Sequence, residues 1–213
     1  MRIRWHGHSC FEFFDAKNSV LIDPHDGKTI GIKPPISNAG IVLVSHDHFD
    51  HNALRIIKNE HATLCAQPGK CSIKGIEFEG FPSFHDDTEG SIRGTNTIYC
   101  FVMDGMRFCH CGDLGEIPSE EVLECLKGVD ILFIPTGEVF TLPIPKVWEL
   151  VKLIEPKVVV PMHYRVGGLT LPLKTLDDFL GDTPDDKILY VGNEVELTAD
   201  ELPEFSGIWV FDR

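Results

Sequence analysis

Short apolar or alternating runs separated by turn residues dominate this chain, the pattern of a protein built mainly from strands. The runs fall at residues 3–5, 10–14, 20–22, 41–44, 63–66, 76–78 and 81–84 in the first part. They continue at 97–103, 107–110, 131–134, 158–160, 188–191 and 208–211. Four helical patterns are interleaved, at 52–59, 119–127, 145–154 and 173–180. Ser119 is placed to cap the second of these, with Glu120 and Glu121 in its first turn, and Pro145 suits the opening of the third. Many strands with few helices predict an α/β protein with mixed sheets carrying helices outside. No repeat or linker interrupts the pattern, so residues 1–213 read as one domain. The loosest stretch, 31–40 with Pro34-Pro35, is expected to be a surface loop rimming the site.

Composition narrows the classes. Hydrophobic residues make up 43% and charged residues 24% of 213, which suits a folded chain with one substantial core. No apolar run approaches the ~20 residues that span a bilayer. The first residues are followed by His6, Gly7 and His8 where a signal peptide needs its apolar stretch, so a cytoplasmic protein is expected. A net charge of −14, with no Lys/Arg cluster, argues against nucleic acid or an anionic membrane as partner. A small-molecule substrate is the expected partner. Seven scattered cysteines form no zinc-binding pairs and read mostly as small core residues, with Cys111 the one to watch.

Chemistry concentrates where the apolar runs stop. The run at 20–22 delivers Asp23, and that at 41–44 delivers Ser45 and then His46, His48, Asp50 and His51. Later runs deliver His85, Cys111-Gly112-Asp113, Thr136-Gly137-Glu138 and His163. Sheet proteins gather their ligands beyond strand ends, where loops converge over a rigid scaffold. Neutral imidazoles bind first-row divalent ions, and carboxylates compensate the charge. His46 and His48 can aim at one ion, while Asp50 and His51, opening the following helix, reach a second. Two ions ~3.5–4 Å apart can hold a bridging hydroxide and clamp a substrate oxygen.

His46-Asp47-His48-Phe49-Asp50-His51 resembles the HxHxDH motif of the metallo-β-lactamase fold superfamily. Asp23, His85, Asp113 and His163 follow in the family's order. The opening Trp5-His6-Gly7-His8-Ser9-Cys10, the Ile22-Asp23-Pro24 turn and Val160-Pro161-Met162-His163-Tyr164 are similar to the branch containing ascorbate-6-phosphate lactonase. The resemblance implies a four-layer αββα sandwich, two mixed β-sheets flanked by helices, with the metals at one edge. It implies that His46, His48 and His85 hold one ion, that Asp50, His51 and His163 hold the other, and that Asp113 bridges. Asp50, Asp113 and His163 are thereby also the catalytic candidates. Two divalent ions are expected, Zn2+ first, with Mn2+ or Fe2+ fitting the same donors.

Around this set, Asp23 is expected to hydrogen-bond the metal-binding loop or to form the turn before Pro24, two compatible roles. His8 is open between a satisfied buried histidine and a group that supports the metals or moves protons. Tyr164 and Arg165 are placed to contact an anionic leaving group, while Glu138 reads as a solvated loop carboxylate. The expected function is hydrolysis of a small ester, lactone or phosphorylated metabolite by a hydroxide bridging the two ions. A phosphodiesterase or nuclease of the same fold is the runner-up, and a non-catalytic or redox metal-binding protein the alternative from another class. The apolar end 207–211 suggests a sheet edge or an oligomer interface.

Overall fold

The computed structural model describes residues 1–203 and 207–212. In chain order the strands begin with β1 (Arg2–Gly7), β2 (Cys10–Phe14), β3 (Ser19–Ile22), β4 (Ile41–Val44) and β5 (Ala62–Cys65). Next come β6 (Gly69–Ile73), β7 (Ile76–Phe84), β8 (Thr95–Met103), β9 (Met106–His110), β10 (Ile131–Pro135) and β11 (Val158–Met162). The last are β12 (Ile188–Gly192), β13 (Glu194–Glu196) and β14 (Gly207–Phe211). Among the described residues three α-helices interrupt them: α1 (Glu120–Leu126), α2 (Ile144–Ile154) and α3 (Leu176–Leu180).

Two mixed sheets result, one in the order β13-β1-β2-β3-β4-β5 and one in the order β12-β14-β11-β10-β9-β8-β7-β6. Alternation along the strands sends Ile3, Trp5, Phe11, Phe13, Val20 and Ile22 inward against Phe78, Phe101, Phe108 and Phe133 of the other sheet. Aromatic rings interlock there edge to face, Phe11 with Phe133 at 4.6 Å and Phe13 with Phe101 at 5.0 Å between centroids. The outer face of the eight-stranded sheet is covered by Leu126 of α1, Val147, Leu150 and Ile154 of α2, and Phe179 of α3. Among the described residues no helix is long and apolar enough to cross a membrane.

Strand direction explains why one edge collects the chemistry. β1 and β3 flank β2 antiparallel, so they run the same way, and β4 lies parallel to β3. Likewise β7 and β9 flank β8, and β10 and β11 continue parallel to β9. Within each sheet, the carboxyl ends of these strands therefore lie along a common edge.

Several elements differ from the sequence expectation. The helix expected at 52–59 is a single 3-10 turn, Leu54–Ile56. Turns over the histidine segment occupy the chain before it, with His51 and Asn52 N–H both donating to the His48 carbonyl, and Ala53 N–H reaching Pro24. Asp50 and His51 thus sit on a turn rather than opening a helix. The last helix starts only at Leu176, where Thr175 and Asp178 form a reciprocal cap. Strands β6 and β13 lie outside the apolar runs of the sequence. The expected edge strand at 207–211 is interior, paired with β11 on one side and β12 on the other, so it leaves neither a sheet edge nor an exposed apolar face.

Candidate metal centre

Three of the strands that lead into the cluster are followed by a non-glycine residue with left-handed backbone. His8 follows β1 with φ 57°, Asp23 follows β3 with φ 49°, and His163 follows β11 with φ 53°. Such conformations cost energy for residues with a Cβ and are retained where the surroundings hold them. All three turn buried polar side chains into one cluster.

At its centre lies Asp113. Its Oδ2 is 3.0 Å from His163 Nε2, 3.2 Å from both His51 Nε2 and His85 Nε2, and 3.9 Å from His46 Nε2. Potential donor atoms group into a set of His46, His48 and His85, a set of His8, Asp50, His51 and His163, and a joining set of His46, His51 and Asp113. The structure brings all seven expected ligands together and adds His8, whose Nε2 is 3.1 Å from Asp50 Oδ2. His8 is wholly buried, and its ring lies 4.2 Å from that of His163 between centroids.

Asp23 sets the orientation of two of these histidines. Its Oδ1 accepts the Ser45 backbone N–H at 2.7 Å, and its Oδ2 accepts the Ser45 hydroxyl at 2.7 Å and His51 Nδ1 at 2.9 Å. With its single proton given to Asp23, the Ser45 oxygen can only accept from His46 Nδ1, 2.9 Å away. In the neutral ring both His46 and His51 therefore carry their proton on Nδ1, which leaves Nε2 as the lone-pair nitrogen facing the cluster. Among the described residues, His51 Nε2 and Asp113 Oδ1 are buried without a hydrogen-bond partner. Buried polar atoms left bare are costly unless a cation completes them, so the donor set fits a divalent metal.

The electrostatics agree with that use. Burial, with the neighbouring His163 and His51 respectively, pushes His8 and His46 down to a pKa of about 3, leaving neutral imidazoles at neutral pH. Burial opposes charge on His51 too, but Asp113, Asp50 and Asp23 outweigh it and raise its pKa well above the ordinary value. Burial likewise opposes ionisation of Asp113, yet His163 and His51 hold its carboxyl well below the usual range. Without metal, a proton on His51 partly offsets the carboxylates.

Two supporting residues, Asn96 and His110, lie outside the candidate set read from the sequence. Asn96 on β8 accepts Asp113 N–H at 3.0 Å and donates to the Cys111 carbonyl at 2.8 Å and to Ser83 Oγ at 2.9 Å, clamping the turn that carries Asp113. His110 donates Nε2–H to the Ser9 carbonyl at 2.9 Å and accepts Gly112 N–H at 3.2 Å. Gly112 is required between them, for its φ is 56° and a Cβ there would stand 2.3 Å from Asn96 Oδ1. Cys111 itself is buried in the apolar layer beneath the helices.

Tyr164, expected to contact a leaving group, lies instead in the core. Its ring stacks on Trp5 at 5.8 Å inside the inter-sheet core and its hydroxyl donates to the Phe211 carbonyl at 3.1 Å, so it does not face a substrate. Period-two alternation accounts for this, since Tyr164 continues the inward side of Val160 and Met162. Arg165 is exposed, and its charge is felt by Asp178 at α3. Glu138 is structural rather than merely solvated: its carboxylate accepts Ile144 N–H at 3.3 Å, completing the start of α2, and lies 3.6 Å from Lys174 Nζ. The 31–34 part of the expected rim loop lines a cavity of about 850 Å³ with Trp5 and His6, whose lining includes none of the seven clustered ligands.

Two face-to-face mixed sheets with a His/Asp cluster at the strand ends define the class of metallo-β-lactamase folds. A profile of the β-lactamase superfamily domain matches residues 2–163, and the chain belongs to that family. A UPF0173 metal-dependent hydrolase from Methanopyrus kandleri is 31% identical, the match covering 77% of this chain and 84% of the relative. Another, from Thermoplasma acidophilum, is 28% identical over 79% of this chain and 85% of its own. The solved structure of a metallo-β-lactamase superfamily member from Thermotoga maritima superposes with a TM-score of 0.81 at 30% identity, covering 99% of this chain and 97% of the other. An isothiocyanate hydrolase from Delia radicum gut bacteria shares the fold at a TM-score of 0.71 and 14% identity, covering 93% of this chain and all of its own.

Proposed function

We propose that the chain is a metal-dependent hydrolase that uses two divalent ions to cleave a small ester, lactone or phosphorylated metabolite. The observation carrying this reading is the Asp113 carboxylate within 3.0–3.9 Å of histidines from both donor sets, beside buried nitrogen and oxygen atoms that lack partners. The relatives named as metal-dependent hydrolases support it, and zinc is the metal named for the Thermotoga maritima protein.

In this reading His46, His48 and His85 would hold one ion and Asp50, His51 and His163 the other, with Asp113 between the two sets. Bound ions of this kind would lower the pKa of a water to about 7 and polarise the carbonyl or phosphoryl group under attack. His8 bonds the Asp50 carboxylate and the Asn96 clamp holds the Asp113 backbone, which favours preorganised carboxylates. The negative charge of Asp23, Asp50 and Asp113 is smaller than that of two divalent cations, leaving the site receptive to a developing oxyanion.

The test is to strip the protein with a chelator, reload it with zinc or manganese, and measure metal stoichiometry beside turnover of a chromogenic lactone and bis-p-nitrophenyl phosphate. Two ions per chain and metal-dependent lactone turnover are expected. Phosphodiester cleavage without lactone turnover would replace the substrate class, and full turnover by Asp113→Ala would refute the mechanism.

A further inference from the structure

A cavity of about 550 Å³ opens against His85, between the segment following β7 and the segment preceding α2. One wall carries Ile92 and Arg93, the other Val139, Phe140 and Leu142. Ile92 and Val139 are 72% and 49% exposed, a large apolar investment at the mouth of a polar centre.

This cavity is built rather than incidental. Asp86, next to His85, accepts hydrogen bonds from the backbone N–H of Thr88, Gly90, Ile92 and Arg93 and from the Thr88 hydroxyl, at 2.7–3.1 Å. One carboxylate thus ties the positions of Ile92 and Arg93 to that of His85. Opposite, Glu138 and Val139 both have left-handed backbone, φ 53° and 37°, which a β-branched residue rarely adopts. The Glu138 carbonyl accepts N–H groups from Phe140 and Thr141, and its carboxylate accepts Ile144 N–H, so Val139 is held outward at a conformational cost.

Charge in the cavity is divided unevenly. Asp86 is consumed by its own loop, Asp87 is exposed, and Lys146 pairs with Glu149 at 2.7 Å. Glu116 is also in the wall, and burial together with Glu89 and Asp86 raises its pKa, which weakens its opposition to an anion. The Arg93 guanidinium lies over the Phe140 ring, 4.5 Å from its centroid, and among the described residues makes no ion pair. In a chain with 33 acidic and 19 basic residues, an unpaired guanidinium fork in a cavity wall beside the metal ligands is a disposed recognition group.

We propose that this cavity is a substrate subsite for an apolar segment ending in a carboxylate or phosphate monoester, with Arg93 pairing the oxyanion while the scissile bond lies at the metal centre. It rests on the hydrolase reading and specifies its substrate class as amphipathic and anionic. Ile92, Val139 and Phe140 contact the apolar segment. Arg93, held over the Phe140 ring, offers its N–H groups to the oxyanion.

The test measures binding of non-hydrolysable probes to the metal-loaded protein by calorimetry: hexanoate, hexyl phosphate and neutral 1-hexanol. Arg93→Met is expected to weaken one or both anions by about tenfold or more and to leave hexanol within about twofold. Which anion loses more identifies carboxylate or phosphate. Ile92→Ser is expected to weaken all three. Both sites are partly or fully exposed, and unchanged metal content and thermal midpoint confirm that each variant folds. Anion affinities within about twofold in Arg93→Met, or anions binding wild type no better than hexanol, overturn the subsite. Because no turnover is needed, Arg93-dependent binding without hydrolysis of any substrate would leave the subsite standing and remove the hydrolase reading instead.

Discussion

Asp23 Oδ2 accepts the Nδ1 proton of His51 at 2.9 Å, from a strand end 28 residues earlier in the chain. This contact leaves His51 Nε2 bare and 3.2 Å from Asp113. Through Ser45 the same carboxylate fixes His46, so one residue sets which nitrogen two histidines of the cluster turn toward its centre. Asp23→Asn cannot accept all three hydrogens and should lower metal affinity by about 10–100-fold, the range for such supporting contacts. Competition against a chromogenic chelator measures it, and an affinity equal to wild type would show that the contact is dispensable.

Asn96 should matter almost as much, although it carries no charge. Asn96→Ala leaves the Asp113 N–H and the Cys111 carbonyl buried without partners, costing about 1–3 kcal/mol. Gly112→Ala strikes the same clamp sterically. Both variants should lower the urea midpoint and weaken metal retention together. A stability loss with metal affinity untouched would mean that the clamp does not position Asp113.

The metal-free protein should be most stable near neutral pH. His8 and His46 have folded pKa values of about 3, so below 6.5 the unfolded chain binds protons that the folded one refuses, and stability falls with acid. Asp23, Asp50 and Asp113 have lowered values, and their contribution, present above their ordinary 3.8, is lost as pH falls further. His51 is raised, so its contribution is complete below 6.5 and is lost as pH rises through its folded value. Urea unfolding of chelator-treated protein across this range should trace a maximum with two falling limbs. A metal ion bound at His51 would displace this proton, so the alkaline limb should vanish in the loaded protein. A limb that persists with metal bound would sever its link to His51.

Val139 is predicted to trade stability for binding. Asparagine tolerates left-handed backbone far better than valine, and at a half-exposed site little burial is forfeited. Val139→Asn should therefore stabilise the protein by about 1 kcal/mol while weakening hexyl probes. Differential scanning calorimetry decides it, and a lowered thermal midpoint would show that the conformation is not strained.

The sequence by itself determined the candidate donor residues and the strand ends where they gather. Apolar runs ending in Asp23, His46 to His51, His85, Asp113 and His163 encode both the strands and the side chains delivered beyond them, because burial and period-two alternation are local patterns. Ser119 likewise announced the start of α1, since a cap is a contact over three residues. What depended on distant partners was not legible. The 52–59 segment looks helical by its apolar spacing, but contacts from His48 and Pro24 leave room for one 3-10 turn. Strand β6, Gly69–Ile73, has few apolar residues and exists through its pairing with β7, while the charged β13, Glu194–Glu196, exists through its pairing with β1. Asn96 reads as one polar residue in a strand until folding sets it against Asp113, and Tyr164 reads as a site residue until Trp5 and Phe211 draw it inward. Arg93 gains meaning only when Phe140, 47 positions later, lies beneath it. Donor chemistry is a property of residues and short spacing, whereas orientation, proton position and pocket shape arise from contacts between strands far apart in the chain.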